Sequence, residues 1–276
     1  MGYQDKFVQI DGLKTRYIED GAGPAVILLH GASLGSSADV FERNLKPLAA
    51  AGVRAIAYDQ PGFGLTDNPS DYSVAYRTRF IMMFMDGLGI QSAALVGHSQ
   101  AGNMAVGLAF EYPQRISKVM IVGTGSLLPP LPEGQKQKGP AEGEEGTAAE
   151  PTVEQTRALL EHNLFNHSLI TPAVLEQRQR MSVGKNFEAF LKRGQARQGG
   201  GGKDSKPMWQ RLVEFPCPLL LMFGKNDRAG AFERATLLKE KYPQLDLHIV
   251  DHCKHLVQWD AMDQFHKLAG EFLPNR

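Results

Sequence analysis

The sequence predicts an α/β protein with a mostly parallel central sheet, helices on both faces and a helical insertion. Three observations carry that expectation. Short, wholly apolar runs such as Ala25-Val-Ile-Leu-Leu29 lack the alternation of a half-solvated strand and read as strands buried on both faces. These runs alternate with segments of helical periodicity, the pattern of βα units laid around a parallel sheet. The alternation breaks off after residue 122 and resumes after Pro216, so a separate segment interrupts the sheet.

Taken in order, residues 7–10 and 15–18 flank Asp11-Gly12 and predict an N-terminal hairpin. Ala25–Leu29 is a buried strand ending in His30-Gly31. Residues 53–58 predict another, followed by the turn-rich Asp59-Gln60-Pro61-Gly62-Phe63-Gly64. A helix is expected over 76–88 and a buried strand over 93–96 that runs into Gly97-His98-Ser99. A helix over 101–111 is stopped by Tyr112-Pro113, and a strand follows over 119–122. Residues 129–151 hold Pro129, Pro130, Pro132, Pro140 and Pro151 without apolar periodicity, which predicts loop or flexible linker. Helices are expected over 152–165, 171–181 and 186–193, then a loose stretch over 199–204. Its four glycines do not make a phosphate loop, because Asp204 follows Lys203 where Ser or Thr is required and no buried strand precedes them. A strand over 219–223, a helix over 235–241, a strand at Asp246–Val250 and a last amphipathic helix over 260–272 complete the chain. The expected division is a core in two parts, 1–124 and 208–276, with a helical cap over 125–207.

Composition narrows the function. The 276 residues carry 30 basic and 30 acidic side chains, so no net charge draws the protein to nucleic acid or to an anionic membrane. The zero is a sum of opposites: residues 133–151 are acid-rich, whereas residues 178–206 are base-rich and fall in the expected cap. A neutral protein can in this way present positive charge to a small carboxylate. Cys217 and Cys253 cannot build a disulfide framework and are expected to be reduced thiols. The N-terminal residues lack an apolar signal region, Lys6 breaks a myristoylation motif, and no apolar run nears the ~18 residues of a membrane span. A cytoplasmic protein is expected. No Gly-x-Gly-x-x-Gly follows a strand, so no dinucleotide cofactor is expected. His162 and His167 lie five apart with no third ligand, so no metal is expected either.

The chemistry concentrates at Gly97-His98-Ser99-Gln100-Ala101, between a buried strand and a helix. A nucleophilic serine on a sharp strand-to-helix turn needs small residues two before and two after it, and Gly97 and Ala101 satisfy both. Such a turn lifts Ser99 above the sheet edge and aims the Gln100 N–H at a developing oxyanion. His30-Gly31-Ala32, at the end of an earlier strand, supplies the Ala32 N–H as second donor. An acid and then a histidine should follow the serine in the chain. Asp227 and Asp251 stand at strand ends, and Asp251 is too close to the candidate bases. Of His252 and His255, His255 lies far enough along the loop to reach back over the sheet. Ser99 as nucleophile, His255 as base and Asp227 as its orienting carboxylate form the expected triad.

On these motifs the chain resembles the α/β-hydrolase superfamily over nearly its whole length. More narrowly it resembles the meta-cleavage-product hydrolases, which cut C–C bonds in ring-fission products of aromatic catabolism. His255-Leu-Val-Gln258-Trp259-Asp260 is similar to that family's His-x-x-Gln-Trp-Glu segment. Ser168-Leu-Ile-Thr171 through Leu175-Glu-Gln-Arg178 is similar to the cap segment where the family keeps an arginine, and Trp209 to a tryptophan at the cap–core return. The resemblance implies that Arg178 pairs with the substrate carboxylate, that Trp209 and Trp259 line the site, and that the loop carrying Ser33 touches substrate. It implies C–C hydrolysis of a 2-hydroxy-6-oxo-dienoate without a cofactor. The chain departs from the family at His98 (usually Asn), in Ala32-Ser33-Leu34-Gly35 (usually Gly-rich with Asn) and at Ala229 (usually Phe), which leaves the particular substrate open. A His before the nucleophile is common among esterases, so a carboxylesterase or amide hydrolase with the same triad is the alternative. A non-catalytic binding module with this fold would leave Ser99 unlabelled by a fluorophosphonate. Dehalogenase and epoxide hydrolase chemistry needs a carboxylate where Ser99 stands. The expected partner is a small-molecule carboxylate, with no nucleic acid and no membrane; a homodimer stays open.

Overall fold

The computed structural model describes residues 2–132, 149–196 and 206–274. Eight strands form one sheet: β1 (Lys6–Ile10), β2 (Leu13–Asp20), β3 (Ala25–Leu29), β4 (Arg54–Tyr58), β5 (Ala93–His98), β6 (Ile116–Val122), β7 (Leu219–Gly224) and β8 (Asp246–Val250). Their order is β1-β2-β4-β3-β5-β6-β7-β8. The β1–β2 hairpin joins β4 antiparallel, and every pairing from β4 to β8 is parallel. The registers Leu29↔Gly97, His98↔Val122 and Gly224↔Val250 align the carboxyl ends along one edge, where open α/β sheets place their sites.

The helices are α1 (Glu42–Ala50), α2 (Val74–Gly87), α3 (Gln100–Glu111), α4 (Val153–Asn163), α5 (Pro172–Arg180), α6 (Lys185–Ala196), α7 (Met208–Arg211), α8 (Ala231–Lys241), α9 (Val257–Asp260) and α10 (Met262–Phe272). Alternate residues of one strand feed opposite layers. Ile27 and Leu29 pack with Phe80, Phe84, Ala105 and Leu108 of α2 and α3, whereas Val26 and Leu28 pack with Leu45, Leu48, Phe265 and Ala269 of α1 and α10. Burial on both faces is why the strand sequences are continuously apolar.

Several boundaries differ from the sequence expectation for local reasons. The helix expected over 76–88 starts earlier, because the Ser73 hydroxyl accepts the Tyr76 N–H at 3.1 Å. The helix expected over 152–165 ends at Asn163; Thr152 and Gln155 close a capping box at its start. The last expected helix, over 260–272, starts at Met262 as α10, because Ala261, at φ −115° and ψ 45°, separates it from the short unexpected α9. Helix α1 was not expected, and it carries Pro47 inside it. The loop expected over 129–151 falls at 133–148 outside the described residues, and so does all of the loose stretch 199–204.

Helices α4–α6 lie over the carboxyl edge of the sheet. Lys185 Nζ donates to Thr66 O at 2.6 Å and Arg193 Nη1 to Gly62 O at 2.5 Å, both in the loop after β4. Arg228 Nη1, after β7, donates to Asn163 Oδ1 at 2.6 Å, and Lys254 Nζ, after β8, to Glu161 O at 2.9 Å. No helix among the described residues is long and apolar enough to cross a membrane.

Candidate active site

Ser99 stands between β5 and α3 at φ 56° and ψ −129°, a conformation that costs a non-glycine residue about 1–3 kcal/mol. Its surroundings enforce the turn. A Cβ on Gly97 would lie 2.7 Å from Gly102 Cα and 2.8 Å from Ala101 O, so strand and helix approach too closely for any side chain there. Thr124, at the end of β6, donates its hydroxyl to Ser99 O at 2.7 Å.

His255 reaches back from the loop after β8. Its Nε2 lies 3.0 Å from Ser99 Oγ and its Nδ1 3.0 Å from Asp227 Oδ2. Both side chains are buried. Asp227 Oδ1 also accepts the Arg228 N–H at 2.8 Å. Burial pushes the Asp227 carboxyl up, but the His255 imidazole, its hydrogen bond and Arg228 outweigh burial and hold it below the usual carboxylate range. An ionised Asp227 fixes the proton on Nδ1, which leaves the Nε2 lone pair to accept the Ser99 hydroxyl proton. The rival residues lie elsewhere: Asp251 is exposed and paired with Lys225 Nζ at 2.6 Å, and His252 sets its ring edge-on to Phe165. His98, next to the nucleophile, directs Nε2 to His255 O at 3.1 Å, and burial holds its imidazole neutral.

The two expected oxyanion donors come together because β3 and β5 are neighbours. A Cβ on Gly31 would lie 2.9 Å from Ser99 Cβ, so the loop bearing Ala32 N–H runs directly against Ser99. His30 governs that loop. Its Nε2 accepts the Gln60 N–H at 3.0 Å, so Nδ1 carries the proton and donates to Gly31 O at 2.7 Å. Burial first, then the charges of Arg77, Arg193 and Arg178, pull the His30 pKa down to about 3 and keep it neutral.

Of the residues expected to touch substrate, Arg178 and Ser33 meet: Arg178 Nη2 donates to Ser33 Oγ at 2.8 Å, across the boundary between α5 and the loop after β3. Arg178 lines a small open pocket together with Gly35, Val174, Met181, Leu256 and Trp259. Neither Ser99 nor His255 is among its lining residues, but Leu256, the residue after His255, is. Trp259 forms part of the wall, its indole Nε1 donating to Val40 O at 2.6 Å. Trp209 is not brought to this group. It packs on Tyr242 with Lys241 Nζ 4.9 Å from its ring centre, beside the residues that enter β8, at the sheet edge opposite Ser99. Among the described residues no group of three or more His, Cys, Asp or Glu could hold a metal.

Sequence reasoning missed Gln60 and Thr124. Both stand just past strand ends, and only the strand order shows that β4 lies beside β3 and β6 beside β5.

A family model described as the alpha/beta hydrolase fold matches residues 24–261. The chain is 34% identical to a 2-hydroxy-6-oxo-6-phenylhexa-2,4-dienoate hydrolase of Burkholderia cepacia, over 98% of this chain and 96% of that one. It is 31% identical to a 2-hydroxy-6-oxononadienedioate/2-hydroxy-6-oxononatrienedioate hydrolase of Burkholderia vietnamiensis, over 97% and 95%. A solved meta-cleavage product hydrolase from Pseudomonas fluorescens superposes with a TM-score of 0.75 at 26% identity, covering 97% of this chain and 96% of that one.

Proposed function

The chain belongs to the α/β-hydrolase family and is a hydrolase resembling the meta-cleavage product hydrolases, and from that premise we propose that Ser99, His255 and Asp227 cleave a C–C bond in a 2-hydroxy-6-oxo-hexa-2,4-dienoate-type product of aromatic catabolism. The observation that carries the proposal is the relay of two 3.0 Å hydrogen bonds from Ser99 through His255 to Asp227, with Arg178 bonded to Ser33 of the loop whose Gly31 packs on Ser99.

The chemistry assigns each residue a task. Arg178 and Ser33 receive the substrate carboxylate, a charge-assisted contact. The enol proton at C2 moves to C5, leaving a ketone at C2. His255 takes the Ser99 proton, and Ser99, or a water activated in its place, adds to the C6 carbonyl carbon. The Gln100 and Ala32 N–H groups hold the resulting oxyanion, at about 3–4 kcal/mol per donor. The C5–C6 bond then breaks, its electron pair passing into the conjugated system that ends at the C2 oxygen. With one water consumed, the products are a carboxylic acid and a 2-hydroxydienoate. Residues 125–207 act as a cap that closes the site above core parts 1–124 and 208–276.

A second reading, hydrolysis of a small ester or amide, uses the same groups and has one observation in its favour. His98 stands where the meta-cleavage-product hydrolases it resembles usually have Asn, with its Nε2 3.1 Å from the His255 carbonyl oxygen. Steady-state rates on 2-hydroxy-6-oxo-6-phenylhexa-2,4-dienoate and on p-nitrophenyl acetate separate the two. The dienoate should have the higher kcat/KM. An ester faster by more than about a hundredfold, ~2.7 kcal/mol in transition-state stabilisation, would sink the C–C assignment.

A further inference from the structure

Behind the two oxyanion donors runs a connected set of buried polar side chains that the triad does not use. Each donor N–H is one end of a planar peptide unit, so fixing the carbonyl at the other end fixes where the N–H points. Gln100 N–H shares its peptide with Ser99 O, which Thr124 holds at 2.7 Å. Ala32 N–H shares its peptide with Gly31 O, which His30 holds at 2.7 Å. These two holds lie on separate loops; the β3–β5 pairing and the packing of Gly31 on Ser99 bring the loops together, and no hydrogen bond so far described spans the distance between the two holds.

Arg77 spans that distance. It lies on the first turns of α2 and is only 2% exposed. Nη2 donates to the Gln100 side-chain Oε1 at 2.5 Å, and Nη1 donates to Gln60 Oε1 at 3.2 Å. Gln60 in turn grips His30 twice, by its Nε2 to His30 O at 2.6 Å and by its main-chain N–H to His30 Nε2 at 3.0 Å. One rigid guanidinium therefore ties the first residue of α3 to the loop after β3. A planar fork holds its two acceptors at a set separation and angle, which a flexible ammonium cannot do.

We infer that Arg77 is a positioning residue that sets the relative placement of the Gln100 and Ala32 N–H donors, acting through the Gln100 side chain and through Gln60 and His30. The inference rests on Ser99 being the nucleophile, and it holds for C–C and ester substrates alike because both form an oxyanion.

The test is phosphonylation of Ser99 in the full-length protein by a fluorophosphonate–rhodamine probe, whose transition state places a phosphoryl oxygen in the same hole. Arg77→Met should lower kinact by about tenfold or more while KI stays within about twofold, the signature of an interaction made only in the transition state. Arg77→Lys should not restore kinact, because charge without the fork cannot hold both acceptors. The pH midpoint of kinact should stay put, since the His255–Asp227 pair is untouched. In a Gln100→Ala background the Arg77→Met effect should shrink to about threefold or less, the mark of two residues acting along one path. Should Arg77→Met fail to fold, Gln60→Ala leaves the arginine in place, removes one acceptor and must also lower kinact. Wild-type kinact in Arg77→Met or Gln60→Ala, a loss carried by KI alone, or a shifted pH midpoint overturns the inference. Absence of labelling in the unmutated protein, or equal labelling of Ser99→Ala, overturns the serine reading itself and this inference with it.

Discussion

Ser99 combines an unfavourable backbone with a hydroxyl aimed at His255, so function and stability oppose each other at one residue. Ser99→Gly tolerates φ 56° where alanine does not. Both variants should lose activity, and Ser99→Gly should unfold at the higher temperature, by roughly 1 kcal/mol in calorimetry. Asp227→Asn keeps the shape but removes the charge that fixes the His255 tautomer, and kcat should fall by about 10⁴ with KM little changed. His98 and His30 carry a pH signature of their own. Burial depresses both pKa values, so the folded protein holds the neutral rings and the unfolded chain takes up protons below about pH 6.5. Their contribution to stability is therefore present above the unfolded pKa and is lost as pH falls. His98→Asn should flatten the decline of melting temperature between about pH 6.5 and 4.5; an unchanged slope would show that His98 is not held neutral.

At the scale of elements, strands were the most legible. Double-sided burial writes itself as an apolar run, and β3, Ala25–Leu29, falls where that pattern puts it. The tight strand-to-helix turn at Ser99 was legible as well, because its steric demand forces small residues at Gly97 and Ala101. Helix α1 was hidden: Pro47 reads as a breaker, and its buried face rests on Leu45 and Leu48 with the polar Asn44. Trp209 was misleading, since a large aromatic serves equally to line a site or to pack, and only its contact with Tyr242 separates the two. Gln60 and Arg77 could not be found from sequence, because their partners are set by which loops the strand order makes adjacent. Arg178 joins α5 to the core through Ser33. Arg178→Met should raise KM for a dienoate carboxylate by about tenfold or more and leave turnover of an uncharged ester within about threefold, in parallel steady-state assays. Equal losses on both substrates would assign Arg178 to structure rather than to carboxylate binding.

The whole molecule is held around the same sheet edge by a second buried polar group. Arg16 on β2 donates to Asp5 at 2.7 Å, to Asp39 at 2.6 Å and to Asp59 at 3.2 Å, and Asp59 also accepts the Ala38 and Leu65 N–H groups. One guanidinium thus links the N-terminal hairpin to the segment before α1 and the loop after β4. Arg16→Met would strand the fully buried Asp59, at about 3–5 kcal/mol, and lower the melting temperature by roughly 10 °C. The overall charge of zero conceals such local arrangements, in which arginines gather beneath and above the site. The proposed C–C cleavage of a dienoate rests on Ser99. Its most direct measurement is the bleaching of the 2-hydroxy-6-oxo-6-phenylhexa-2,4-dienoate chromophore under single-turnover conditions, in the unmutated protein and in Ser99→Ala. The unmutated protein should bleach it rapidly and release benzoate, whereas Ser99→Ala should at most ketonise it and release none; benzoate released at the same rate by Ser99→Ala, or by neither protein, would rule out the serine-driven cleavage.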